Sequence, residues 1–161
     1  MCGMITDNIH NFITNLPSQG RLVAFDAGSR KIGIAISDST RFIATPHDIY
    51  SRINIKKDVN KALSYVKENA AVGIVIGLPL NLQGEEGDGY LISTNFANKL
   101  SKQTPLPILL YDERFTSKQS GQIMHDYKLS KAQKMKVEDK IAASFILQSA
   151  LDHLANINCA F

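Results

Sequence analysis

The stretch Leu22-Val23-Ala24-Phe25-Asp26-Ala27-Gly28-Ser29-Arg30-Lys31-Ile32-Gly33-Ile34-Ala35-Ile36-Ser37-Asp38 decides the fold. Its first four residues form the compact apolar run of a buried strand, and Asp26-Ala27-Gly28 supplies a turn. Ile32, Ile34 and Ile36 then alternate with Gly33, Ala35 and Ser37, the period of a second strand. The link between the two runs is too short for a crossover helix, so the strands must be antiparallel.

Working outward, strands and helices alternate. A weaker third strand is expected over 42–50, broken by Pro46. From Asn54 the period changes: Ile55, Val59, Ala62, Leu63, Val66 and Ala70 mark one face of a helix. Val72-Gly73-Ile74-Val75-Ile76 reads as a central strand ending at Gly77-Leu78-Pro79, and 81–89 as an exposed, mobile loop with three glycines and three acids. A helix over about 90–102 leads to a strand over 106–111, and Thr116-Ser117-Lys118-Gln119 matches a capping box that should open another helix. Residues 128–136 read as a basic linker, and about 138–154 as a largely buried final helix. Upstream, Ile5, Ile9, Phe12, Ile13 and Leu16 form a helical stripe over 5–16, stopped by Pro17-Ser18-Gln19-Gly20. The pattern predicts an α/β domain on a mixed sheet. Its expected division is a helical extension at 1–20, a main domain at 21–155 and a tail at 156–161.

Composition excludes several classes. The chain has 161 residues, 44% apolar and 20% charged, which suits one globular domain and argues against disorder. A net charge of +3 permits a polyanionic partner without demanding one. Cys2 and Cys159 form neither a metal spacing nor a disulfide framework, so a reducing cytoplasm is the expected location. No run of 18 apolar residues exists, so no membrane span is expected, and the first twenty residues do not resemble a signal peptide. No phosphate-binding Gly-x-x-x-x-Gly-Lys loop is present. The histidines at 10, 47, 125 and 153 are scattered and read as structural.

Acids fall where a sheet-based site would place them. Asp26 ends the first strand, Asp112 and Glu113 end the last, and Asp139 opens the final helix on the face of Ala142, Ala143 and Ile146. Each has an ordinary role open to it: a turn former, a partner for Arg114, or a first-turn acid complementing the helix dipole. Carboxylates gathered at one edge repel unless a cation neutralises them. Mg²⁺ or Mn²⁺ suits such an oxygen-rich site, and a pair of ions suits phosphodiester cleavage.

Four motifs, in order, resemble one family. Asp26 to Asp38 resembles the opening strand pair of the YqgF proteins, also called RuvX. Ile76-Gly77-Leu78-Pro79-Leu80-Asn81 with Gly84 looks like their mid-chain loop. Asp112-Glu113-Arg114-Phe115-Thr116-Ser117 resembles their Asp-Glu-Arg signature, and Asp139-Lys140-Ile141-Ala142-Ala143 with Ile146-Leu147-Gln148 their closing helix. The match spans 22 to about 152. It implies a ribonuclease-H-like fold, a mixed five-stranded sheet with helices on both faces. It also implies a metal-dependent nuclease using Mg²⁺ or Mn²⁺, with two ions expected.

The family is described both as Holliday junction resolvases acting on branched DNA and as nucleases that process the 5′ end of the 16S rRNA precursor. Ribosomal RNA processing is the favoured expectation. By position, its acidic site carries over to Asp26, Glu113 and Asp139. Glu138 stands where the family usually has an apolar residue, which leaves the third acid open by one position. Residues 1–20 precede the family's usual start. Candidate nucleic-acid contacts are Arg30, Lys31, Asn81, Arg114, Lys131 and Lys134, and a homodimer is left open. Two further classes stay open: an actin-like phosphotransferase, which needs a second fold copy that 161 residues cannot supply, and a non-catalytic RNA-binding maturation factor.

Overall fold

The computed structural model describes residues 2–79, 87–113 and 130–159, with the side chains of 131–140 and 158–159 excepted. Its elements run β1 (Ile5–Thr6), α1 (Ile9–Thr14), β2 (Leu22–Ala27), β3 (Lys31–Ser37), β4 (Ala44–Ser51), α2 (Ile55–Glu68), β5 (Gly73–Leu78), α3 (Asp88–Ser101), β6 (Ile108–Asp112) and α4 (Lys131–Cys159). The six-stranded sheet has the order β1-β6-β5-β2-β3-β4. β2 pairs antiparallel with β3 and parallel with β5, so the sheet is mixed, as the short first connection requires. The capping-box segment at 116–119, Asn81, Arg114 and most of the 81–89 loop lie outside the described residues.

Period-two alternation sends β2 side chains to opposite faces. Val23 and Phe25 join Ile74, Ile76 and Ile108 under α2 and α3, where Phe25 meets Phe96 edge-on at 5.7 Å. Leu22 and Ala24 join Val75, Leu109 and Tyr111 under α4 and α1. Helices therefore cover both faces.

Three local expectations change. The 5–16 stripe does not form one helix. Asn8 caps α1 by accepting from the His10 and Asn11 amides at 2.9 and 3.2 Å, so the helix cannot begin earlier. Ile5 and Thr6 instead pair parallel with Ile108 and Leu109, adding a sixth, edge strand to the expected five. The stripe is thereby split: Ile5 packs with the α2/α3 core, while Ile9, Phe12, Ile13 and Leu16 pack under α4.

Pro46 does not break β4. An edge strand tolerates the missing N–H, and the register slips there, pairing Ile34 with Asp48 and Ala35 with Pro46. Finally, α4 is 29 residues long and absorbs most of the expected linker, because no glycine or proline interrupts Lys131–Cys159. Asp139 therefore lies two turns inside the helix rather than opening it, and the first-turn dipole role does not apply.

Candidate active site

β2, β5 and β6 are parallel, so their carboxyl ends share one edge. Phe25 is level with Ile76, which sets Asp26 beside Gly77, and Gly77 is paired with Tyr111. On its other side Asp26 pairs with Gly33 of β3. The pleat sends Asp26 to the α4 face, with Leu22 and Ala24. Asp26 is thus flanked on both neighbouring strands by glycines. A glycine inside a strand marks a place where another group must come close. At Gly77 that group is Glu113: a Cβ there would collide with Glu113 Oε1 and lie 2.7 Å from Ile146 Cδ1 of α4.

Glu113 and Asp26 are hydrogen-bonded carboxyl to carboxyl. Burial pushes the Glu113 carboxyl up to about 8, with the charge and hydrogen bond of Asp26, then the charge of Asp112, adding to the rise. The pair therefore keeps a proton between its two carboxyl groups at a pH where separate carboxylates would both be ionised. Asp112, one residue earlier, falls on the opposite side of the pleat from Glu113. Two carboxyl groups in contact, in a space kept open by glycines, form a donor set that fits a hard divalent cation, which would take the place of the shared proton.

Of the other sequence candidates, Arg30 and Lys31 lie at the β2–β3 turn. With Asp26, Gly28, Ser29, Gly33 and Ile49 they line a cavity of about 350 Å³. The two cations and Asp26 thus border one space. Asp139 lies on α4, four residues before buried Ala143 and seven before Ile146. Lys131 and Lys134 occupy the first turns of the same helix. The side chains of all three are outside the described residues.

Sequence reading missed three supports. Arg52 bonds Asp58 Oδ2 at 2.8 Å and the Gly28 carbonyl at 2.9 Å, tying the cationic turn to α2. Gln148 accepts from the Ala44 amide and donates to the Phe42 carbonyl, both at 2.9 Å. The Tyr111 hydroxyl meets Ser149 Oγ and His153 Nδ1, both at 2.7 Å. The last two fix α4 across the sheet. Only the burial of Asp58 pairs with a local sequence signal, an acid in a helix first turn; the Arg52–Gly28, Gln148 and Tyr111 contacts span from 24 to 106 residues.

Known proteins resemble this chain in sequence and in fold. The family model RuvX, described as Holliday junction resolvase, matches residues 20–153. A protein of Anaplasma marginale named "Putative pre-16S rRNA nuclease" is 37% identical over 149 residues, covering 92% of this chain and 95% of its own. One of the same name from Rhodobacter capsulatus is 38% identical over 157 residues, covering 98% and 99%. Among solved structures, Thermus thermophilus RuvC in complex with a Holliday junction aligns with a TM-score of 0.53 at 8% identity, over 85% of this chain and 96% of that one. The fowlpox virus Holliday junction resolvase aligns with a TM-score of 0.51 at 18% identity, over 83% and 99%. At those identities the structural likeness establishes the fold, the ribonuclease-H-like sheet of the resolvases. By its family match across residues 20–153 and its relatives of near-equal length, the chain belongs to the RuvX (YqgF) family of nucleases.

Proposed function

We propose that this nuclease cleaves phosphodiester bonds in structured RNA, processing the 5′ end of the 16S rRNA precursor in the cytoplasm, with two Mg²⁺ or Mn²⁺ ions bound at Asp26, Glu113 and Asp139. The nuclease domain is residues 21–155, with 1–20 as an extension that adds an edge strand and a plug under α4, and 156–161 as a tail whose first four residues continue α4 to Cys159. The observation that carries the reading is the Asp26–Glu113 contact between Gly33 and Gly77, at the carboxyl edge beside Arg30 and Lys31.

Bound ions supply Lewis-acid polarisation of the scissile phosphodiester. Asp26 and a deprotonated Glu113 would hold them, with the missing side chain at Gly77 leaving the room that the Glu113 carboxyl occupies. Ile146 touches the Gly77 position, and Gln148, Ser149 and His153 then carry α4 back over the sheet. Residues earlier in α4, Asp139 among them, therefore continue past the carboxyl edge, which supports Asp139 as the third acid. Arg30 and Lys31 attract the backbone, together with Asn81, Arg114, Lys131 and Lys134. A homodimer belongs to the same proposal, with the exposed Phe42 and Ile43 as its apolar patch.

The test is a cleavage assay on precursor rRNA, single-stranded RNA and a four-way DNA junction, with Mg²⁺ and with Mn²⁺. Asp26→Asn should reduce cleavage more than about 100-fold while the fold stays intact. Full activity in that variant would sink the reading, and preferential cutting of the junction would transfer it to branched DNA.

A further inference from the structure

On the sheet face opposite α4, a groove of about 450 Å³ opens between the start of α2 and the end of α3. It is lined by Ile55, Lys56, Val59, Asn60, Lys99, Lys102 and Gln103. Its charge is all of one sign, with three lysines and no acid in the lining. All three lysines are exposed. Folding alone does not ask for this arrangement. Lys99 and Lys102 complement the C-terminal end of α3, but Lys56 stands in the first turn of α2, where the helix dipole disfavours a cation. The acid of that turn, Asp58, gives no relief, because it is buried and paired with Arg52 at 2.8 Å. Like charges are thus gathered around the rim of a largely apolar groove that includes Ile55 and Val59. A polyanion is the ligand chemistry that complements it.

The groove is also separate from the acid pair. Asp26 and Glu113 sit on the α4 face, whereas α2 and α3 pack on the other face of the same sheet. A short strand reaching the acids cannot also reach the groove, but a long, folded polynucleotide can contact both faces. We propose that the groove formed by Lys56, Lys99, Lys102, Asn60 and Gln103 is a second phosphate-backbone site. It engages a distant segment of a folded RNA and so favours structured over short substrates. This rests on the nucleic-acid reading of the acid site.

The test compares the full chain with its Lys56→Gln/Lys99→Gln/Lys102→Gln variant. Glutamine is a good helix former at these exposed positions, so melting should not change. Binding of a long folded RNA is followed by fluorescence anisotropy across a salt series, in the presence of Ca²⁺ so that binding is read without turnover. Loss of three phosphate contacts should reduce the slope of log affinity against log salt by about 2–3. Affinity for the long RNA should fall at least about tenfold. Metal-dependent cleavage of a short single strand should be unchanged. An unchanged slope with the folded RNA overturns the second site while leaving the acid site standing. Equal losses for long and short RNA also overturn it, because the lysines would then act at the acid site itself. Failure of the unsubstituted chain to bind either RNA overturns both readings together.

Discussion

Two carboxylates at opposite ends of the central strands are moved in opposite directions. At the amino end of β2, Asp38 accepts from the Phe42 and Ile43 amides at 2.8 and 2.9 Å and from the Thr40 hydroxyl. These donors, the Ile43 amide foremost, hold its carboxyl down at about 2. At the carboxyl end, Glu113 is half-buried against another acid and lifted to about 8. The rest of each neighbourhood follows suit. Around Asp38, Gln148 answers the Ala44 amide and Phe42 carbonyl, Ser37 Oγ accepts the Leu22 amide at 2.9 Å, and Arg41 reaches the Gly20 and Pro17 carbonyls at 2.8 and 2.7 Å. Around Glu113, side chains are withheld at Gly33 and Gly77. One end of the sheet is closed by satisfied polar groups, whereas the other keeps an electrostatic demand that a cation would meet.

The comparison breaks most visibly at Gly77. Gly77→Ala puts a methyl group into the Glu113 carboxyl and Ile146, so Glu113 must leave Asp26. Cleavage should fall about 100-fold or more, with a stability loss of about 1–3 kcal/mol. Near-normal turnover would show that the contact between the two acids is not needed.

At the other end, Phe12→Ala should cost about 3–5 kcal/mol, since this ring is fully buried under α4. Denaturant unfolding measures the loss. Below the lowered melting temperature, cleavage should persist, because α1 lies away from the carboxyl edge. Loss of activity in parallel with stability would show that the two ends are not independent.

The two acids also predict opposite pH slopes in metal-free protein. Glu113 is raised in the fold, so between about 4.5 and about 8 the folded chain holds a proton that the unfolded chain has released. Its contribution to stability is therefore present at low pH and lost as pH rises through that window. Asp38 is lowered, so its contribution is present above 3.8 and lost as pH falls toward about 2. Chemical denaturation of wild type and Glu113→Gln across pH 4.5–8 should show the downward slope in wild type alone; parallel curves would remove Glu113 as its source.

The smallest expected effect is at Gln148→Ala, which leaves the Ala44 amide and Phe42 carbonyl to water at a partly exposed edge. A loss of about 1 kcal/mol in denaturant unfolding is expected, with cleavage unchanged.

Much of this was legible in local sequence. The Leu22–Phe25 run and the alternation through Ile36 determined two antiparallel strands, because side-chain period and link length leave no other pairing. Asp26 and Glu113 were recognisable as strand-end acids for the same reason, and the family motifs ordered them. The split of the 5–16 stripe was not legible. Ile5 and Phe12 share a helical period, and only the free edge of β6 draws Ile5 and Thr6 into a strand. Nor did pattern distinguish a basic linker from the first turns of α4, since a lysine-rich segment without glycine or proline suits both.

What the sequence by itself determined, then, is the set of elements and the candidate acids, through spacing that acts over a few residues. Only the tertiary structure decided that Glu113 rather than Asp112 shares a face with Asp26, that two glycines border the pair, and that Lys56 meets Lys99 and Lys102 across a helix crossing. Those juxtapositions join residues far apart in the chain. They depend on sheet register and on burial of both faces, and no local propensity encodes either.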